Sequence, residues 1–260
     1  MIYSYYFSAS GTTEDIVRSI AGNIGGGDDA VVVHHNLTGM RAETAPEPDR
    51  DDVVLFAAPV YGGRLPAMAA ERFRRIRGAG QKCVAVVVYG NRDYEDALLE
   101  LHDILSENGF VVVAAGAFVA RHSIFPDVAA WRPDRNDLDR MAEFAERVRE
   151  CLAAGTVLDA ASVKGKRPYK QSGYVPLHPS ADRKKCTGCG RCARECPAGA
   201  IYRENPYDTD AQKCVTCTRC IWVCPVGARG FRGLKYKTIA PIFRAMCAAR
   251  REPEWFVAEE

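Results

Sequence analysis

The chain has 260 residues and 28.6 kDa, and its 47% hydrophobic and 26% charged residues exclude wholesale disorder. No apolar run reaches the roughly 18 residues that a membrane span needs, and Met1-Ile2-Tyr3 opens without a basic leader, so a cytoplasmic protein with no membrane span is expected. Eleven cysteines in such a chain point to metal or redox chemistry rather than to a disulfide framework.

In chain order, residues 2–7 form an apolar-aromatic run that predicts a first strand. Ser8-Ala9-Ser10-Gly11-Thr12-Thr13 follows, and then a helical pattern with Ile16, Val17, Ile20 and Ala21 on one face. Gly25-Gly26-Gly27 predicts a turn, and a second strand is expected over 30–34, with His34 and His35 capping it. Further strands over 53–58, 83–89 and 110–119 alternate with helices near 66–77, 93–107 and 134–154. Valine-rich strands alternating with helices predict a doubly wound, parallel, five-stranded α/β sheet over residues 1–155, with right-handed crossovers. Cys83 and Cys151 fall in apolar periodic segments and read as buried hydrophobes.

In such a sheet, ligands sit beyond the carboxyl ends of the strands. The loop with Ser8, Ser10, Gly11, Thr12 and Thr13 combines hydroxyls, backbone N–H groups and a helix start, which suits a phosphate, although a hydroxyl-rich helix cap reads the same way. It lacks the lysine of a nucleoside-triphosphate loop, and no dinucleotide fingerprint is present. Pro59-Val60-Tyr61-Gly62-Gly63 and the loop with Tyr89, Gly90, Asn91 and Tyr94 add aromatics and glycines that allow close approach to a flat ligand. Together they have the parts to hold FMN. Residues 1–155 resemble the flavodoxin family, whose phosphate loop [ST]-x-[ST]-G-x-[ST] is matched by Ser8, Ser10, Gly11 and Thr13. The resemblance implies FMN phosphate on that loop and the ring between the Tyr61 and Tyr89–Tyr94 loops, and it leaves open which tyrosine stacks. Thr12 departs from the family's frequent asparagine.

Residues 156–180, with Lys164, Lys166, Arg167 and Lys170 and three prolines, predict a semi-extended basic linker. Residues 181–233 carry the strongest signal. Cys186, Cys189, Cys192 and Cys196-Pro197 repeat as Cys214, Cys217, Cys220 and Cys224-Pro225, the C-x2-C-x2-C-x3-C-P run of bacterial two-cluster ferredoxins. Each triplet wraps three corners of a cubane and the distant cysteine reaches the other. One [4Fe–4S] cluster is therefore expected on Cys186, Cys189, Cys192 and Cys224, and the second on Cys214, Cys217, Cys220 and Cys196. Thr187, Gly188, Gly190 and Ala193 are small enough to leave backbone amides free for sulfur. Zinc sites rarely need such triplets, and a segment this short needs metal ligation for stability.

The pairing resembles flavodoxin–ferredoxin fusion proteins of anaerobic microbes, with weaker support from Arg121-His122-Ser123, from 131–134 and from 166–170. His122 is either a flavin contact or a polar strand end. Residues 234–260 predict a tail helix, with Ile239, Ile242, Phe243 and Met246 at helical spacing, that docks within the chain; Cys247 has no cluster spacing. Residues 1–155 hold 16 Lys+Arg against 23 Asp+Glu, net −7, and 156–260 hold 19 against 10, net +9. Thiolate-bound clusters offset part of that positive charge, so nucleic acid is not expected as a partner. The function expected is an electron carrier between FMN, two clusters and a redox partner protein, with no catalytic side chain. The alternatives are an FMN oxidoreductase fed by the clusters, acting on a small acceptor, and a basic binding module with structural clusters.

Overall fold

The computed structural model describes residues 1–26, 31–39, 48–173 and 175–258. Gly27 of the predicted turn and Ala30, the predicted start of the second strand, lie outside them. Five strands alternate with four helices as expected: β1 (Ile2–Tyr6), α1 (Thr12–Ile24), β2 (Val32–Asn36), β3 (Val53–Pro59), α2 (Ala67–Arg74), β4 (Lys82–Tyr89), α3 (Ala97–Glu107), β5 (Val111–Val119) and α4 (Arg135–Ala154). All pair in parallel in the order β2-β1-β3-β4-β5, which is the flavodoxin-like order of a doubly wound sheet.

The central strands read as continuous apolar runs because both faces are covered. On one face α1 and α4 set Ile16, Ile20, Phe144 and Val148 against Leu55, Val86 and Phe118. On the other, α2 and α3 set Phe73, Leu98 and Leu101 against Phe56, Ala85 and Val87. The Asp134 side chain accepts from Asp137 N–H at the start of α4, and Asp137 reciprocates, which closes a capping box. Asp137 is fully buried, and Arg132 pairs with it. His34 and His35 lie inside β2 rather than at its end; His34 Nδ1 bonds Ser4 Oγ at 2.6 Å, and the His35 ring stacks on Tyr5 at 5.1 Å.

The sheet has a sixth strand that the sequence reading omits. A short terminal strand (Glu254–Val257) pairs antiparallel with β5, from Ala114↔Val257 to Ala117↔Glu254. Trp255 reaches Phe144, and the Arg140 guanidinium lies over its ring at 4.0 Å. The five-stranded expectation holds for the parallel set, and the tail seals the edge.

Between α4 and the cysteine segment the semi-extended basic chain is a strap held on the first domain. Leu158 N–H donates to Val112 O, and Leu158 and Val163 are buried in the α3 face. Asp96 accepts from Lys166 N–H at 2.9 Å and from Lys170 N–H at 2.8 Å. Lys164 pairs with Asp93, Lys170 with Glu95 and Arg167 with Asp103. The basic linker thus lies on an acidic row, which accounts for part of the charge division between the halves. Exposed pairs of this kind each contribute little, but the backbone bonds fix the path.

The cysteine segment is built on β6 (Ser180–Ala181), α5 (Arg191–Arg194), α6 (Arg219–Trp222) and β7 (Arg229–Gly230), with β6 and β7 antiparallel. Its two halves repeat in backbone conformation as well as in spacing. Gly188 and Gly190 have φ of 71° and 68°, and the matched Thr216 and Thr218 have φ of 56° and 64°. Threonine in the left-handed region carries a steric cost, so the second half holds its turn against local preference. The segment is followed by α7 (Leu234–Met246) and by the terminal strand, which is β8 in chain order. The tail helix docks within the chain through Tyr236, Ile239 and Phe243, on Ile124, Phe125 and Val128. Ile242 and Met246 turn to solvent, so only half of the predicted apolar face is used. Among the described residues, no helix is long and apolar enough to cross a membrane.

Candidate redox site

Cys196, Cys214, Cys217 and Cys220 all line one small cavity. The cysteine that trails the first triplet therefore sits with the second triplet, in the crossed arrangement expected from the spacing. Ala200 N–H points to Cys196 Sγ at 3.3 Å and Thr216 N–H to Cys214 Sγ at 3.4 Å. Burial pushes the Cys220 thiol up to about 12 and the Cys217 thiol higher still, so the positive charge of iron is what favours ionising this set. Among the described residues, no three His, Cys, Asp or Glu side chains close on a point for a single ion; these four thiols surround a cavity instead.

The other set lies nearer the surface. Cys189 is exposed, Cys186 and Cys224 are half-buried, and Cys192 lies within electrostatic range of Cys186. Ala228 N–H donates to Cys224 Sγ at 3.2 Å. Burial works against the Cys224 thiolate, yet the N–H groups of residues 226–229 hold its pKa below the usual thiol value. Free amides aimed at sulfur thus come from Thr216, Ala200 and Ala228, positions beyond those the composition alone suggested.

Beside the first cavity lies a cleft of about 580 Å³, in the range of small-molecule sites. One wall is the carboxyl end of the parallel sheet, with Val60, Tyr61, Gly62 and Gly63 after β3, Tyr89 and Gly90 after β4, and His122 after β5. The opposite wall is Gln212 and Cys214–Thr216 of the cysteine segment, and Val175 and Leu177 of the strap with Phe243 of α7 complete it. Gly62 and Gly63 have φ of 61° and 85°, and a Cβ on Gly90 would meet His122 at 2.4 Å, so these loops need glycine for shape. Burial holds the Tyr61 hydroxyl far above its usual pKa, and the charge of nearby Cys217 adds to this. Tyr61 stays neutral between cleft and cluster cavity.

Other predicted residues lie elsewhere. Pro59 ends β3 and is absent from the cleft wall. Asn91 is turned to the tail: its side-chain amide donates to Cys247 O and Ala249 O, and its Oδ1 accepts from Arg251 N–H. Tyr94 is fully buried, with its hydroxyl on Glu254 at 2.6 Å and Lys164 over its ring. Both share the β4 loop, yet residues distant in sequence hold them: 247–251 hold Asn91, and β8 and the strap hold Tyr94. The loop of Ser8, Ser10, Gly11, Thr12 and Thr13 lies at the end of β1, outside the cleft wall. Ser8 Oγ accepts from Glu14 N–H at 3.0 Å and Ser8 N–H donates to Thr38 at 2.7 Å, so Ser8 shapes the loop. Ser10 and Thr12 stay partly exposed, with their hydroxyls 3.2 Å apart. Arg92, within the predicted loop after β4, also lines the cleft, as do Met68, Phe125 and Gln212, which no motif marks in the sequence.

Residues 185–228 match the family described as the 4Fe-4S dicluster domain. No curated protein matches the sequence. Among solved structures, a rubredoxin oxygen:oxidoreductase from Desulfovibrio gigas is 15% identical with a TM-score of 0.42; the match covers 59% of this chain and 36% of that one, so it spans about a third of that protein's length. A flavodoxin from the domain Archaea is 15% identical, with 59% of this chain and 99% of that one covered, at a TM-score of 0.40. Flavodoxin 1 from Bacillus cereus is 18% identical, with 57% and 97% covered, at 0.41. Strand order assigns the first domain independently of these low scores. The chain joins a flavodoxin-like doubly wound domain to a 4Fe-4S dicluster domain that holds two [4Fe–4S] clusters.

Proposed function

We propose that the protein is an electron carrier in which FMN, seated with its phosphate at the loop after β1 and its ring in the cleft, exchanges electrons with the cluster of Cys196, Cys214, Cys217 and Cys220, and thereby with a redox partner protein. One observation carries this reading: Cys214 and Val215 line both the cleft and the cluster cavity. When bound, FMN would supply two-electron capacity and each cluster one-electron capacity at low potential. The chain's own residues bind and orient. Ser10, Thr12 and the first N–H groups of α1 face a phosphate, Gly62, Gly63 and Gly90 admit a flat ring, and Tyr61 and Val215 exclude water between the ring and the cluster. Cover from the cysteine segment favours a carrier over an enzyme with an open flavin edge.

Reconstituted protein is expected to hold about one FMN and about eight irons per chain. Flash reduction of the flavin should then reoxidise by a first-order process independent of protein concentration. Cys196→Ser should abolish that process while retaining the other cluster, and Cys189→Ser should retain it. The reverse pattern, or stoichiometric zinc with no iron, rejects the reading.

A further inference from the structure

The two cluster sites differ in exposure, and the exposed one is ringed by charge. Cys196, Cys217 and Cys220 are buried and Cys214 lines the cleft, whereas in the other set only Cys192 is buried and Cys189 is exposed along with Thr187 and Gly188. Pro225, Val226 and Gly227, beside the fourth ligand Cys224, are exposed as well, and Trp222 is 42% exposed. Lys184 and Lys185 directly precede Cys186, Arg191 directly precedes Cys192, and these three are exposed, as are Arg194 and Arg203; the Trp222 ring is covered on one side by the Arg121 guanidinium at 4.5 Å. Arg194 and Arg203 both approach Gly190, directly after Cys189, and Arg194 donates to Cys189 O at 3.0 Å. Among the described residues, none of the five has a carboxylate partner. The carboxylates of the segment are engaged elsewhere: Asp182 with Arg232, Glu195 with Arg219, Asp208 with Arg183 and Asp210 with Lys213. Glu204 alone stands outside an ion pair.

We infer that this face, with Val226 exposed beside Cys224 and, near the other three ligands, five cations that have no carboxylate partner, docks an acidic protein carrying a one-electron centre. The inference rests on the electron-carrier reading and adds the partner's chemistry and its place of contact. Cations at the rim of an interface steer an oppositely charged partner and select against like-charged ones. In the step itself, the partner's centre loses one electron and the Cys186, Cys189, Cys192 and Cys224 side of this chain gains it; no bond forms or breaks and no group moves.

The test uses the full chain, iron-loaded, with and without FMN, and an acidic plant-type [2Fe–2S] ferredoxin as probe, read by titration calorimetry. Binding is expected for both preparations, so a failure of the flavin reading leaves this test intact. Affinity should fall at least about tenfold from about 50 mM to about 300 mM salt. A triple variant, Lys184→Glu with Lys185→Glu and Arg191→Glu, should lose at least about tenfold at low salt with iron content unchanged. Arg50→Glu with Arg74→Glu and Arg75→Glu, at the amino end of the sheet, should bind as the parent does. Absent binding, equal binding of a basic cytochrome c, equal loss in the control variant, or tighter binding of a single-stranded oligonucleotide each overturns the proposal; the last would mark the face as a nucleic-acid surface.

Discussion

His122 holds its proton on one nitrogen for a geometric reason. Its Nδ1 accepts from the N–H groups of Ile124 and Phe125, both at 3.1 Å, so the hydrogen sits on Nε2 of a ring that lines the cleft. Burial lowers its pKa to about 4, and the Arg92 charge lowers it further than Asp127 restores. The folded chain therefore keeps a neutral imidazole while the unfolded chain takes up a proton near pH 6.5. This contribution to stability is complete above pH 6.5 and is lost as the pH falls toward 4. Between pH 7 and pH 5.5 it amounts to roughly 1 kcal/mol, and urea unfolding of His122→Asn should show that much less loss than the parent. An unchanged pH slope in the variant would contradict the assignment. That Cys196 joins Cys214, Cys217 and Cys220 was legible in the sequence because spacing along the backbone sets which sulfurs can meet. The state of His122 was not, because it depends on the turn formed by the three residues after it.

Among the elements, β8 shows where local patterning fails. Four residues carry too little periodicity to announce a strand, and their pairing with β5 spans some 140 positions of chain. The parallel strands were legible within a residue or two because burial on both faces makes them continuous apolar runs. Asn91 links the two cases: at φ 62° it turns the β4 loop and ties three backbone groups of residues 247–251. Asn91→Ala should cost about 2–4 kcal/mol through lost buried hydrogen bonds and the positive φ. Amide exchange should rise mainly in 252–258 and along the edge of β5 that β8 covers. Exchange that rises equally in β1 and β3 would argue against a local clasp. The docking of the basic linker was likewise not legible, because its partners Asp93, Glu95, Asp96 and Asp103 lie on and before α3, far back in the chain.

For the molecule as a whole, the parallel sheet has its own apolar layers, whereas the cysteine segment contributes a small cluster dominated by the sulfur ligands themselves. Removing iron with a chelator should unfold residues 181–233 while the sheet domain keeps its secondary structure. Limited proteolysis should then cut within the cysteine segment first, and bound FMN should exchange with solution faster because Gln212 and residues 214–216 no longer wall the cleft. Loss of the sheet at the same chelator concentration would contradict this division.

The return of the chain to its first domain also sets an order in time. During synthesis the cysteine segment emerges before β8 does, so the β5 edge stays open until the cluster-binding loops have left the ribosome. Completion of the first domain thereby follows synthesis of the cysteine segment. A chain stalled before Glu254 would display an unpaired strand edge, the kind of surface that other strands or chaperones capture.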